Sequence, residues 1–171
     1  MNIRQRNKAH EPLSGKISIP GDKSISHRAI IFSSMAIGVS RIDGLLESDD
    51  IISTINCMKK LGARISKRKD GIWEVFGVGV GGFSEPENII DLGNSGTSAR
   101  LISGAVCTSP INCFFTGDDS LRKRPMDRII DPLTQFGANF IAREKSLLPI
   151  CILGANDPVG IDFTGKVPSA Q

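Results

Sequence analysis

Three short segments of this chain combine small or hydroxylated residues with a helix start, two of them with a cation close by. They are Gly21-Asp22-Lys23-Ser24, with Arg28 shortly after, Gly93-Asn94-Ser95-Gly96-Thr97, and Pro168-Ser169-Ala170-Gln171. Each stands where an apolar run gives way to a helical pattern. A helix N-terminus exposes free N–H groups and the positive end of the helix dipole, so it favours anions. Lys23 adds a flexible point charge. Arg28 lies four residues after Ser24, on the same helix face, and offers a planar fork that fits a carboxylate or phosphate. A single turn of this kind is more often an ordinary helix cap. Three of them converging would suit a small ligand with more than one anionic group.

Charge is also concentrated in Leu121-Arg122-Lys123-Arg124-Pro125-Met126, a loop just before a helix. One of these cations could clamp an anion, although a solvated basic loop explains the run equally well. His27 follows Ser26 inside the first helical pattern. It has no orienting partner nearby in sequence, so a packed or surface role is expected rather than general-base work. Asp49-Asp50 could be a carboxylate pair, but a helix start stabilised by negative charge accounts for it.

Several function classes are disfavoured. There is no G-x-S-x-G, no G-x-x-x-x-G-K-[ST] and no metal-ligand cluster. The four cysteines, Cys57, Cys107, Cys113 and Cys151, form no C-x-x-C pair, and the chain has two histidines, so no structural zinc is expected. Reduced, mostly buried thiols in a cytoplasmic protein are expected instead. Lys plus Arg total 21 against 18 Asp plus Glu, a net charge of +3 that is too mild for a dedicated nucleic-acid binder. Eight Phe, one Trp and no Tyr argue against base stacking. No apolar run is long enough to span a membrane, and the first residues carry no signal-peptide core. With 40% apolar and 23% charged residues the composition is that of an ordinary globular chain.

The elements that would position these residues recur. Leu61-Gly62-Ala63-Arg64-Ile65 resembles Phe136-Gly137-Ala138-Asn139-Phe140 at an offset of 75, which also aligns Gly79 with Gly154. Gly21 and Gly93, and Arg28 and Arg100, align at 72, and Gly44 and Gly117 at 73. The first unit is expected over residues 16–80. It has a strand at Lys16–Ile19, a helix capped by Ser24 or Ser26 and ending at Gly38, and a strand at Val39–Asp43. A helix from Asp49 to Gly62 and a hairpin of Ala63–Ser66 with Ile72–Phe76 complete it. The second unit, residues 88–154, repeats that order. Its strands are Ile89–Leu92, Ile111–Thr116, Ala138–Ile141 and Ile150–Leu153, and its helices are Thr97–Cys107 and Met126–Phe136, the latter kinked or restarted at Pro132. A third unit would begin at residues 161–171, with Ile161–Gly165 as a strand and Val167–Gln171 as the next turn. Residues 1–15 are expected to form a flexible start.

Taken together, Pro20-Gly21-Asp22-Lys23-Ser24-Ile25-Ser26-His27-Arg28, Leu92-Gly93-Asn94-Ser95-Gly96-Thr97, Arg124-Pro125-Met126 and Ser169-Ala170-Gln171 closely resemble the 5-enolpyruvylshikimate-3-phosphate synthase family, from Leu13 onward. The resemblance implies an α/β (α+β) fold: repeated βαβαββ units around a pseudo-threefold axis in an inside-out barrel, two such domains flanking a cleft. The chain would then be the N-terminal domain, with its third unit incomplete and the C-terminal domain absent. It also implies a reaction, transfer of the enolpyruvyl group of phosphoenolpyruvate to the 5-hydroxyl of shikimate 3-phosphate with release of phosphate. No metal or organic cofactor, nucleic acid or membrane would take part, and the full-length enzyme would be a cytoplasmic monomer.

Position by position, the resemblance places Lys23, Ser24, Arg28, Ser169, Ala170 and Gln171 against shikimate 3-phosphate. It places Lys23, Asn94, Gly96, Arg124 and Gln171 against phosphoenolpyruvate. Ala170 stands where many members have Ser, and Asp127 where members usually have Gly. A sister family acting on UDP-N-acetylglucosamine typically has Ala-Lys-Asn at the first turn and a reactive Cys in the Arg124 loop, and neither is present here. The family's acid–base groups lie in a second half, so no catalytic residue is assigned in these 171 residues. An inactive fragment that binds shikimate 3-phosphate weakly is the alternative.

Overall fold

The computed structural model describes residues 14–165. The chain order is α1 (Lys23–Met35), β1 (Ile37–Ile42), α2 (Asp49–Lys60), β2 (Arg64–Lys67) and β3 (Trp73–Val78), then β4 (Ile90–Asp91), α3 (Gly96–Val106), β5 (Asn112–Thr116), α4 (Asp127–Gln135), β6 (Asn139–Arg143) and β7 (Leu147–Leu153). This is a mixed α/β architecture. Among the described residues no helix is long and apolar enough to cross a membrane.

The two sheets are wired alike. β3 lies between β1 and β2 and runs antiparallel to both, and β7 lies in the same way between β5 and β6. Phe76 stands opposite Val39 and Arg64, and Leu153 stands opposite Asn112 and Asn139. The second sheet has one strand more, because β4 joins β5 in parallel. Lys16–Ile19, expected to be the matching strand of the first sheet, has no regular structure. Its Ile17 and Ile19 are 89% and 77% exposed. Polar–apolar alternation alone does not make a strand; its backbone groups need a ladder partner, and among the described residues none runs beside it. β1 accordingly forms an open margin, with Ile37 94% exposed. Ile161–Gly165 is likewise irregular rather than a strand, and Val167–Gln171 lies outside the described residues.

Local chemistry sets the helix limits. α1 is capped by Asp22, whose Oδ1 accepts from the Ile25 N–H at 2.8 Å, not by Ser24 or Ser26. A carboxylate at that position satisfies a free N–H and adds favourable charge at the dipole's positive end. α1 stops at Met35, so Ile37 and Gly38 belong to β1. α2 opens with Asp49 and Asp50 and closes with Lys59 and Lys60, matching both ends of its dipole. α4 runs through Pro132 as one helix, with the Phe136 N–H reaching the Pro132 carbonyl at 3.1 Å. The missing N–H forfeits one bond, to the carbonyl of exposed Arg128, which water can serve.

The helices α2 and α4 end in the same way. The Ala63 N–H reaches the Met58 carbonyl and the Gly62 N–H the Lys59 carbonyl; Ala138 and Gly137 reach Leu133 and Thr134 identically. Such a reversal needs a left-handed residue, and Gly62 (φ +104°) and Gly137 (φ +114°) supply it. α2 buries Ile51, Ile55 and Met58 on one face, and the core they join extends through Ile102 and Val106 of α3 to Phe115 of β5. The four cysteines are buried and unpaired. Burial pushes the Cys107 and Cys113 thiols up to about 12, which leaves them protonated and poorly nucleophilic at neutral pH.

A second glycine pair fixes each central strand against the helix before its sheet. The alignment of Gly79 with Gly154 gives way to Gly77 with Gly154. A Cβ on Gly77 would lie 2.1 Å from the Ala36 carbonyl oxygen, and one on Gly154 would lie 1.8 Å from that of Ser109. The turn before β7 is two residues longer than its counterpart, which shifts the offset from 75 to 77. Gly77→Ala and Gly154→Ala should each destabilise the chain by about 1–3 kcal/mol or more, as an overpacked core does. Gly104→Ala meets nothing within 4 Å in α3 and should instead stabilise by roughly 0.5–1 kcal/mol. Urea unfolding midpoints of the three variants would show whether the signs differ.

Candidate anion-binding site

The N-termini of α1, α2 and α3 are held together by a buried polar chain. His27 Nδ1 lies 2.8 Å from Thr54 Oγ1, Thr54 Oγ1 lies 2.8 Å from Ser98 Oγ, and Ser98 Oγ lies 2.5 Å from Ser95 Oγ. Ser95 Oγ also accepts from the Ser98 N–H and so caps α3. The Asp50 main-chain carbonyl lies 3.2 Å from Thr54 Oγ1 and 3.3 Å from Ser98 Oγ, so one of these hydroxyls can donate to it while the other donates along the chain. His27, Thr54 and Ser98 are each fully buried. His27 is therefore a packed residue, as its isolation in sequence suggested, and its Nε2 has no partner among the described residues. Burial lowers its pKa, with Lys23 and Arg28 adding to the shift and Asp50 opposing it.

On the outer side of this chain, α1 presents Lys23, Ser24 and Arg28. The Lys23 ammonium pairs with the Asp50 carboxylate. Arg28 Nη1 donates to the Ser24 carbonyl at 3.3 Å. Ser26, one of the two expected caps, turns inward and accepts from the Leu46 N–H at 3.1 Å, tying the loop after β1 to the helix.

At α3 a second group assembles around Gly96. Arg124 Nη2 donates to Asn94 Oδ1 at 2.5 Å and to Ser120 Oγ at 3.0 Å. Asn94 Nδ2 donates to Asp118 Oδ2 at 2.6 Å. The Leu121 N–H also donates to Asp118, and it leads the interactions that hold this carboxyl below its usual range. A Cβ on Gly96 would stand 3.1 Å from both Arg100 Nη1 and Arg124 Nη1, so the absent side chain is what lets two guanidinium groups close over the start of α3. Arg100 Nη2 reaches the Pro125 carbonyl at 3.2 Å, while its Nε is buried without a partner among the described residues. Burial, followed by the charges of Arg128 and Arg124, lowers its pKa, and Asp127 opposes them. Asp127, in place of the expected Gly, thus opens α4 and offsets part of a crowded positive charge.

The structure brings Asn94, Gly96 and Arg124 into one cluster and Lys23, Ser24 and Arg28 into another. The path Lys23–Asp50–Ser98–Ser95 joins them. Ser169, Ala170 and Gln171 lie outside the described residues. Sequence reasoning missed Arg100, whose alignment with Arg28 was the available signal. It also missed the side-chain role of Asp50, which has none in the local sequence. Chemically the arrangement offers two adjacent helix N-termini and several cations, which suits phosphate and carboxylate groups.

Comparison with known proteins bears on this directly. The family model described as EPSP synthase (3-phosphoshikimate 1-carboxyvinyltransferase) matches residues 7–171. The chain belongs to the EPSP synthase family. The 3-phosphoshikimate 1-carboxyvinyltransferase of Ruegeria sp. (strain TM1040) is 55% identical over 160 residues, covering 94% of this chain and 36% of the relative. That of Paramagnetospirillum magneticum is 52% identical with the same coverage. An EPSP synthase structure from Acinetobacter baumannii superposes with a TM-score of 0.86 at 39% identity, over 91% of this chain and 35% of that one. The chain thus spans about a third of the length of these EPSP synthase relatives.

The His27 environment predicts a pH dependence. Its folded pKa lies below the usual 6.5, so the contribution to stability is complete above that value and is lost as pH falls below it. Between about pH 7.5 and about pH 5 the urea midpoint should fall further in the wild type than in His27→Asn, which cannot titrate there. Parallel falls would show that His27 is not the group responsible.

Proposed function

We propose that this chain carries one side of a carboxyvinyltransferase site, at which the enolpyruvyl group of phosphoenolpyruvate passes to the 5-hydroxyl of shikimate 3-phosphate and phosphate is released. The observation that carries this is the pair of guanidinium groups, Arg100 and Arg124, closing over a glycine at the start of α3. It lies beside a second cationic helix start at Lys23 and Arg28. Two multiply charged anions must be held side by side against their mutual repulsion, and two adjoining cationic helix starts meet that demand.

Lys23, Ser24 and Arg28, with Ser169, Ala170 and Gln171, would hold shikimate 3-phosphate. Lys23, Asn94, Gly96, Arg124 and Gln171 would hold phosphoenolpyruvate. The reaction is an addition followed by an elimination. The 5-hydroxyl oxygen gives up its proton and bonds to C2 of phosphoenolpyruvate as a proton reaches C3; loss of a proton from C3 then restores the double bond and expels phosphate. Arg124 and the α3 N-terminus would stabilise the negative charge that gathers on the departing phosphate. The groups that move the protons are assigned to the part of the longer relatives that these residues do not cover, together with a second domain. The described sheets would be two of three βαβαββ units around a pseudo-threefold axis.

Phosphate release measured with both substrates should therefore show no turnover for residues 1–171 alone, and release at a normal enzymatic rate would refute that assignment. Calorimetry should detect weak shikimate 3-phosphate binding that Arg28→Ala abolishes. Within a full-length protein, Gly96→Ala should weaken phosphoenolpyruvate far more than shikimate 3-phosphate, since the added methyl pushes on Arg100 and Arg124. Equal loss for both substrates would count against the division of the site.

A further inference from the structure

Asn94 and Asp118 follow the C-terminal ends of the parallel strands β4 and β5. The two loops are pressed together there. A Cβ on Gly117 would lie 2.7 Å from the Gly93 carbonyl oxygen, and the Asp118 N–H donates to that same oxygen at 2.9 Å. Asp118 Oδ1 accepts from the Leu121 N–H at 2.7 Å, which fixes the carboxylate on its own loop. Its Oδ2 accepts from Asn94 Nδ2, and Asn94 Oδ1 in turn accepts from Arg124 Nη2. An ionised carboxylate only accepts and a guanidinium only donates. The amide between them therefore has one satisfying orientation, its NH2 toward Asp118 and its oxygen toward Arg124.

We propose that Asp118 is a positioning residue for Arg124: by setting the Asn94 amide it holds the guanidinium over the start of α3 with a neutral acceptor, so the cation is placed and yet keeps its charge for an anionic ligand. The proposal rests on the assignment of Arg124 to phosphoenolpyruvate made above. A carboxylate in direct contact with Arg124 would place it equally well but cancel its charge. An interposed amide keeps the direction and moves the negative charge one residue further off, where attraction is weaker and water screens it. Ser120 Oγ, a second neutral acceptor of Arg124 Nη2, works to the same end. Asp118→Asn breaks the arrangement at one atom. The new amide has a single oxygen, so either the Leu121 N–H or Asn94 Nδ2 meets an NH2 group. Loss of the first bond frees residue 118 from its loop, and loss of the second releases or turns the Asn94 amide. Arg124 loses its guide in both cases. Charge and position then predict opposite signs: removing a negative charge near an anion site strengthens binding by simple attraction, whereas losing the guide weakens it.

In the 171-residue chain, the Asn94 side-chain NH2 resonances, assigned by their loss in Asn94→Ala, should move in Asp118→Asn. They should stay in place in Asp119→Asn, which removes the same charge from a residue paired with Arg122 instead. In the full-length protein, Asp118→Asn should raise KM for phosphoenolpyruvate by roughly three- to tenfold, the range of one partly exposed hydrogen bond. KM for shikimate 3-phosphate should not change, and Asp119→Asn should leave both values unchanged or lower. In an Asn94→Ala background Asp118→Asn should add no further loss, because the two act as one unit. Asp118→Ser, whose hydroxyl can still accept from the Leu121 N–H but is too short to reach Asn94, carries the same expectations should the first variant not fold. Unmoved Asn94 resonances in Asp118→Asn overturn the proposal. So does an unchanged or lower KM for phosphoenolpyruvate, a fall in kcat alone, an equal rise in Asp119→Asn, or a full further loss beside Asn94→Ala. Each of these leaves the functional reading intact where Arg124→Ala raises KM for phosphoenolpyruvate. If Arg124→Ala does not raise it, the functional reading falls, and the proposal falls with it.

Discussion

Three helix N-termini carrying like partial charges have been brought to one place, and the buried chain from His27 through Thr54 and Ser98 to Ser95 is what keeps them there. Helix ends of one sign repel, and hydroxyl groups in a dry interior are costly unless every one is bonded. Here the two demands are met by the same atoms. Thr54 and Ser98 bond across helix boundaries, Ser95 closes the chain as the cap of α3, and the Asp50 carbonyl, in the first turn of α2, lies within hydrogen-bond reach of both Thr54 and Ser98. The apolar core can set how deep the helices sit, but a hydrophobic contact has no direction. The hydrogen bonds specify which residues of α1, α2 and α3 stand level with one another, and so which side chains project at their ends.

Much of this was legible in sequence where the determinant was local. The Gly62 and Gly137 reversals show themselves because a left-handed residue after a helix selects glycine, and the 75-residue offset between them is a repeat of that requirement. The acidic start and basic finish of α2 are local for the same reason. The opening strand at Lys16–Ile19 failed because a strand is defined by its neighbour, and no neighbour is written in its own residues. Asp22 was passed over as the α1 cap because three candidates stood within five residues, and the backbone geometry chose among them.

The site was legible in its cationic residues and not in their partners. Lys23, Arg28, Asn94, Gly96 and Arg124 stand out by type and by family resemblance. Asp50 does not, since Lys23 lies 27 residues away and a helix start already accounts for an aspartate there. Arg100 carried only its alignment with Arg28, and its place over Gly96 depends on how α3 meets the loop before α4. The polar chain behind the site is built from one histidine, one threonine and two serines on three helices. No sequence spacing distinguishes those hydroxyls from the many that face water.

The open margin of β1 has a consequence of a different kind. Among the described residues no strand pairs with the outer side of β1, and such an edge, flanked by the nearly fully exposed Ile37, is a template for another strand. Lys16–Ile19, extended in pattern and apolar on alternate residues, is a candidate to pair on such a template in a second molecule. For residues 1–171 by themselves, that margin is a route to self-association that needs no unfolding. Its onset should follow protein concentration, and it should respond to a charge placed at position 37 more than to any improvement in the core.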